Sequence, residues 1–443
     1  MNRGVGGRSS IPHGAQRAYH RLSPARHTLV GLLATVAVML AAGPAAAFSV
    51  LAHQGVVDAA WQSDIVPLLR KRFPQASDAE LNEARAYAYG GSHLADLGYF
   101  PLGSELFSGL LHYVRSGDFV AELMHEAKSP NDYAFALGAM AHYVADSLGH
   151  PQATNRAVAL IYPKLARKHG DAVTYADSPS AHLQTEFRFD VFQVARRGEI
   201  PDLFEHAMGF QVPRPLLEHS FQAVYGLELG DLFTNYDVAL STYRWAFRSL
   251  IDEATGIAWQ LYRGDIESLE PSVSADGFLR APSRADFEKE FGDTYRQPGY
   301  FAKFVAFFGN LLPNVGPFKR LPYKPLPDDV KQLYLNAFRE VIAAYRKDLG
   351  ELGRSRLRLA NLDLDTGRPS AAGEYTIADE TYVELVRRLV NDDFAHTSPA
   401  LLGDLRSHFA DRDAALAETS GRERRTVLEA LSALDAAAGA AKR

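Results

Sequence analysis

The chain has no cysteine among its 443 residues. Disulfides, thiolate metal ligands and cysteine nucleophiles are therefore excluded. A glycine-rich phosphate loop, a dinucleotide fingerprint and a context that would mark an arginine finger are also missing. Alternating runs of valine and isoleucine are scarce, which argues against a sheet. There is no internal repeat, no long low-complexity tract, and no bilayer-length apolar run beyond the N-terminal one. What is present is 47% hydrophobic residues, enough to bury a sizeable core, and fifteen histidines. With thiolates excluded, these histidines are the candidate ligands for a borderline metal such as zinc.

The first residues do not read as fold. Residues 1–27 carry Arg3, Arg8, Arg17, Arg21 and Arg26 and no acid. An apolar run from Thr28 to Leu40 follows, and then small residues ending at Ala47. A basic region, an apolar core and an Ala-x-Ala end describe a signal peptide over residues 1–47, cleaved near Ala47, and hence an exported protein, periplasmic or secreted. An uncleaved anchor over Thr28–Ala47 is the competing reading. Gly43 and Pro44 favour cleavage because they break the helix where a peptidase cuts. Cleavage would shift the formal net charge from −6 to −11. An acidic mature chain is a poor match for sequence-independent nucleic-acid binding, which relies on Lys and Arg neutralising phosphates.

The rest predicts an all-α protein. Apolar residues recur three and four apart over Asp78–Tyr89, Pro130–Leu148, Pro179–Arg197, Asn235–Tyr262, Asp328–Leu349 and Asp379–Asn391. Polar, loop-like sequence near Arg263–Arg284 suggests a helical domain over 48–265 and a helical C-terminal region over 266–443, packed on the first.

Two of these helices carry chemistry-bearing residues. One opens Ser129-Pro130 and the other Ser178-Pro179. Serine suits the N-cap, and proline suits the first helical position, where its missing N–H has no partner anyway. The first contains His142 and Asp146, and the second His182 and Glu186. Four residues apart, each pair shares a helical face. A neutral imidazole and a carboxylate converging in this way suit zinc. One such pair usually marks a surface ion pair. Two of them, among Phe135, Leu137, Met140, Phe187 and Phe189, imply charges that need a partner or a metal. His150 follows Asp146 by four residues, where the helix is expected to stop before Pro151. Upstream lie His53, His93, Asp96 and His112.

In this order, the residues resemble the zinc-dependent phospholipase C family, whose fold is shared with the fungal single-strand zinc nucleases. The resemblance runs from Phe48 to about Arg197, with helical context to Tyr262. It implies a multi-helix fold of that kind with a helical C-terminal extension, and up to three zinc ions. His112, His142 and Asp146, with Asp96, would hold the first. Asp146 would bridge to a second, completed by His53 and by the free amine and carbonyl of Phe48. His150, His182 and Glu186 would hold the third. The resemblance also gives Asp96 the catalytic role of orienting or deprotonating the attacking water.

Two departures stand out. The family's mature chain usually begins with tryptophan, where this one would have Phe48. The family usually places the third-site histidine six residues after the bridging aspartate, where this chain has Gln152. Either His150 ligates from two positions earlier, or the third site is weak or absent. His93 and Asp190 read as residues that could orient a ligand.

The implied activity is hydrolysis of a phospholipid phosphodiester by zinc-activated water. The alternatives are a phosphoesterase like the single-strand nucleases, or a non-catalytic metal- or lipid-binding relative. Nucleic acid is the less favoured partner. The aromatic and basic segment Tyr300–Pro313 offers peripheral membrane contact, against a core helix as the simpler reading. Asn361–Gly367 resembles the opening of a calcium loop but lacks the glutamate at the twelfth position, which leaves it as a turn.

Overall fold

A computed structural model describes residues 49–196, 210–269, 271, 273–275, 278 and 325–440. The leader, Phe48 and the segment Tyr300–Pro313 lie outside the described residues. No strand occurs among the described residues, and the protein is all-α. No described helix is long and apolar enough to cross a membrane.

The helices that build the site are α1 (Val50–Ala60), α2 (Asp78–Leu94), α3 (Glu105–Tyr113), α4 (Ser116–Glu126), α5 (Pro130–Gly149), α6 (Asn155–Ile161), α7 (Pro179–Ala195), α8 (Tyr236–Leu269), α9 (Asp328–Gly353) and α10 (Thr376–Leu389). Their starts follow local chemistry. Ser77 and Glu80 form a capping box at α2, and Ser129 and Asp132 form another at α5, with Pro130 in the first turn. Each box satisfies backbone N–H groups that have no helical partner. The expected serine cap of α7 does not form: the Ser178 side chain makes no capping bond. Asp177 instead folds back on the N–H and hydroxyl of Thr174, both at 2.9 Å.

The centre of the fold is α5, almost wholly buried. It packs along α2, and α1, α4 and α9 also lie against it. The α2–α5 contact is set by glycines. A methyl group on Gly91 would overlap the Phe135 carbonyl, and one on Gly138 would overlap the Ala88 carbonyl. These two backbones touch because neither position carries a side chain. One turn beyond Gly138, the His142 ring meets the Ser92 carbonyl of α2 at 3.0 Å.

The chain does not stop helically at Gly149. His150–Thr154 continue in a wider π turn that runs into α6. The Asn155 N–H reaches the His150 carbonyl, and Pro151, with no N–H to donate, is accommodated by the widening. His150 therefore stays one turn beyond Asp146 on the same face. C-terminal to the family-like region, α9 packs on α5 and α1, and α10 packs on α3.

The glycine contact makes a stability prediction. In an open helix, Gly→Ala stabilises by about 1 kcal/mol. At Gly138 the added methyl meets a backbone carbonyl that cannot rotate away. Gly138→Ala is expected to destabilise by roughly 1–3 kcal/mol, read as a lower midpoint in urea unfolding. An unchanged or raised midpoint would mean that the α2–α5 approach is not set there.

Candidate metal centre

Asp146 sits at the centre of a cluster contributed by α1, α3, α5 and the π turn. Its carboxylate lies 3.2 Å from His53 Nε2, 3.0 Å from His142 Nε2, 3.4 Å from His112 Nε2 and 3.8 Å from His150 Nε2. His112 Nε2 is also 3.6 Å from Asp96. On the other side, Glu186 Oε1 lies 3.3 Å from His150 Nε2 and 2.8 Å from His182 Nε2. All eight residues are buried.

Three groups of potential ligand atoms result: His53, His142 and Asp146; Asp96, His112 and His142; and His150, His182 and Glu186. Within each, one atom per residue lies within 4.8 Å of the others. Donors around one tetrahedral zinc are about 3.4 Å apart. Most of the separations above fall nearer that value than the usual length of a charge-assisted hydrogen bond. Among the described residues no well-aligned hydrogen bond is donated to either carboxylate oxygen of Asp96 or Glu186, although imidazoles approach both. Buried carboxylates without donors are costly unless a cation compensates them, so the donor set fits a metal.

The electrostatics agree. Burial pushes the Asp96 carboxyl well above the usual carboxylate range, opposed by His112 and reinforced by Asp146 and Glu186. A cation would reverse that drive. Burial pulls His53 down to about 4, so its imidazole is neutral near pH 7, as a metal ligand must be. Burial would also raise Asp146, but the neighbouring His142, His150, His53 and His112 hold it well below its ordinary value.

Other groups orient the rings. The Ser108 carbonyl meets His112 Nδ1 at 2.8 Å, and the Ser92 carbonyl meets His142 Nδ1 at 3.0 Å. Both leave Nε2 facing the carboxylates. Asp365 Oδ1 stands 2.9 Å from His150 Nδ1. The sequence signals Asp365 only through the Asn361–Gly367 turn, where its nearness to His150, more than two hundred residues earlier, cannot be read.

Of the expected site residues, His53, Asp96, His112, His142, Asp146, His150, His182 and Glu186 come together, and Phe48 lies outside the described residues. Gln152 is not among the three groups; the π turn gives His150 that place. His93 orients no ligand by hydrogen bonding. Its ring packs on Phe247 at 4.6 Å, and neither ring nitrogen has a hydrogen-bond partner among the described residues. Asp190 accepts from the Ser49 hydroxyl at 2.6 Å and the Leu51 N–H at 2.8 Å. It thus pins the first turn of α1, the helix that carries His53. A fourth group, Glu122, His125 and Glu126 on α4, is partly exposed. Lys128 and His219 also approach Glu126, and this group reads as a surface ion-pair cluster.

These contacts separate two substitutions. Asp146→Asn keeps the shape but removes the charge that His53, His112, His142 and His150 approach, so it should lower bound zinc by at least one ion. Gln152→Ala should leave the content unchanged. Elemental analysis of protein purified without chelator measures both. Equal losses in the two variants would contradict the placement of His150.

No curated protein and no solved structure matches the chain. Residues 52–235 match the family described as zinc dependent phospholipase C. That stretch, less than half of the chain, contains every ligand candidate from His53 to Glu186, and its ligand order and all-helical fold agree with the match.

Proposed function

We propose that this protein is an exported, zinc-dependent phosphodiesterase that hydrolyses a phospholipid headgroup ester and holds up to three zinc ions. The observation that carries this is the clustering of three buried histidine/carboxylate groups around Asp96, Asp146 and Glu186. Bound zinc supplies a Lewis acid and a water whose pKa falls toward about 7.

The chain's own residues do the rest. Ser92 and Ser108 fix two imidazoles through their carbonyls. Asp96, buried and without a well-aligned hydrogen-bond donor among the described residues, is suited to orient a water and accept its proton. Tyr99 and Tyr175 connect the cluster to a cavity of about 320 Å³. The Tyr99 ring lies 5.5 Å from His112, and that of Tyr175 lies 5.7 Å from His182.

The same cavity is lined by Glu105, Glu380 and Glu384, the last shared with Arg387 and Arg388. Carboxylates beside tyrosine faces favour a cationic headgroup over a polyanionic strand. This supports the phospholipase reading over the nuclease one.

Zinc-loaded protein lacking residues 1–47 is therefore expected to cleave phosphatidylcholine vesicles roughly tenfold or more faster than single-stranded DNA at moderate salt. Chelation should abolish the activity. Faster cleavage of DNA would reverse the substrate assignment, and absence of both activities would favour a non-catalytic relative.

A further inference from the structure

Asp365 lies far outside the family-matched stretch, in a turn between α9 and α10. Its side chain is buried, and Oδ1 stands 2.9 Å from His150 Nδ1. The two nitrogens of an imidazole point to opposite sides of the ring. A carboxylate on Nδ1 therefore cannot share a metal with Nε2, the atom that faces Glu186. It can only fix which nitrogen carries the proton and where the ring points.

Asp365 is itself held firmly. The Tyr113 hydroxyl donates to Oδ2 at 2.9 Å, and the Tyr375 hydroxyl donates to the same oxygen. Both phenols occupy the oxygen that His150 does not use. The Asp365 N–H donates to Asp363 Oδ1 at 2.9 Å, and the Thr366 N–H to the same oxygen at 3.1 Å. Asn155, just beyond the π turn, donates its side-chain amide to the Asp365 carbonyl at 2.9 Å. The Leu364 N–H donates to the carbonyl of His112 at 3.0 Å. Gly367 closes the turn at φ +68° and lies against the Ser147 carbonyl, where any side chain would collide. The turn is thus tied to α3 and α5, which present His112 and Asp146, and to α6, which directly follows the π turn that presents His150.

We propose that Asp365 is a positioning residue for the third metal group, and that the C-terminal region completes the metal centre through it. The inference rests on reading His150, His182 and Glu186 as a metal site. It also accounts for the spacing of this chain: a histidine presented from a π turn needs an external anchor for its ring, and Asp365 supplies one. A partner of this kind typically sets metal affinity by about 10–100-fold.

The test is chelator competition on the zinc-loaded chain lacking residues 1–47, following zinc release step by step. In Asp365→Asn, one ion should leave at roughly 10–100-fold lower chelator concentration, with the others unchanged. Tyr375→Phe, which removes one donor to Oδ2 and spares the turn, should shift the same ion in the same direction by less. Adding Asp365→Asn to His150→Ala should weaken that ion no further. Uniform weakening of every ion with a lower melting temperature would mean a merely structural role and would overturn the proposal. So would wild-type release in both Asp365→Asn and Tyr375→Phe. If Asp365→Asn does not fold, Tyr375→Phe decides alone. Metal release is independent of substrate. Inactivity toward phosphatidylcholine with the expected release pattern would overturn only the substrate assignment, whereas a wild-type chain that takes up no zinc would overturn both readings.

Discussion

Three carboxylates, Asp96, Asp146 and Glu186, are buried within one all-helical core. Burying a charge without a counter-charge costs several kcal/mol even after relaxation. No arginine or lysine forms an ion pair with Asp96 or Glu186 among the described residues; the groups that approach them are imidazoles. Burial also keeps His53 neutral near pH 7, so it offers a lone pair rather than a charge. The compensation this arrangement calls for is a bound cation, and the packing around it can be understood as serving that need.

The scaffold meets that need through contacts that fix backbones first and side chains second. Gly91 and Gly138 let α2 and α5 touch, which delivers the Ser92 carbonyl to His142. Ser108 does the same for His112 from within α3. Asp190 ties the start of α1 to α7, so His53 and the Glu186 helix are held relative to each other. At the far end, the π turn keeps His150 on the Asp146 face, and the turn bearing Asp365 reaches it from the C-terminal region. Because the orienting atoms come from separate elements, the ligand geometry depends on tertiary packing rather than on any single helix.

The sequence made the main helices and the His/carboxylate pairs legible because both are local patterns. A helix repeats every 3.6 residues, and residues four apart share a face. The rest of the ligand set, His53, Asp96 and His112, came from the family resemblance of the residue order and not from a local pattern. His150 could not be decided from sequence, since Gly-His-Pro signals a helix stop, and the π turn that overrides it depends on packing around Pro151. Asp365 was out of reach for a different reason. Its partner is separated from it by α6 to α9, and the alternating Asp/Leu turn that carries it looks like an incomplete calcium loop. Ser178 shows the limit of local rules in the other direction, since a good capping residue was present and another turn formed instead.

We infer that the buried cluster is a metal centre built on Asp146 and Glu186. Anomalous diffraction from crystals of the zinc-loaded protein, collected on both sides of the zinc absorption edge, tests it most directly. Separate edge-dependent peaks are expected inside the cluster, one against His150, His182 and Glu186 and at least one against Asp146. Crystals of zinc-loaded protein with no such peak among these residues would contradict it.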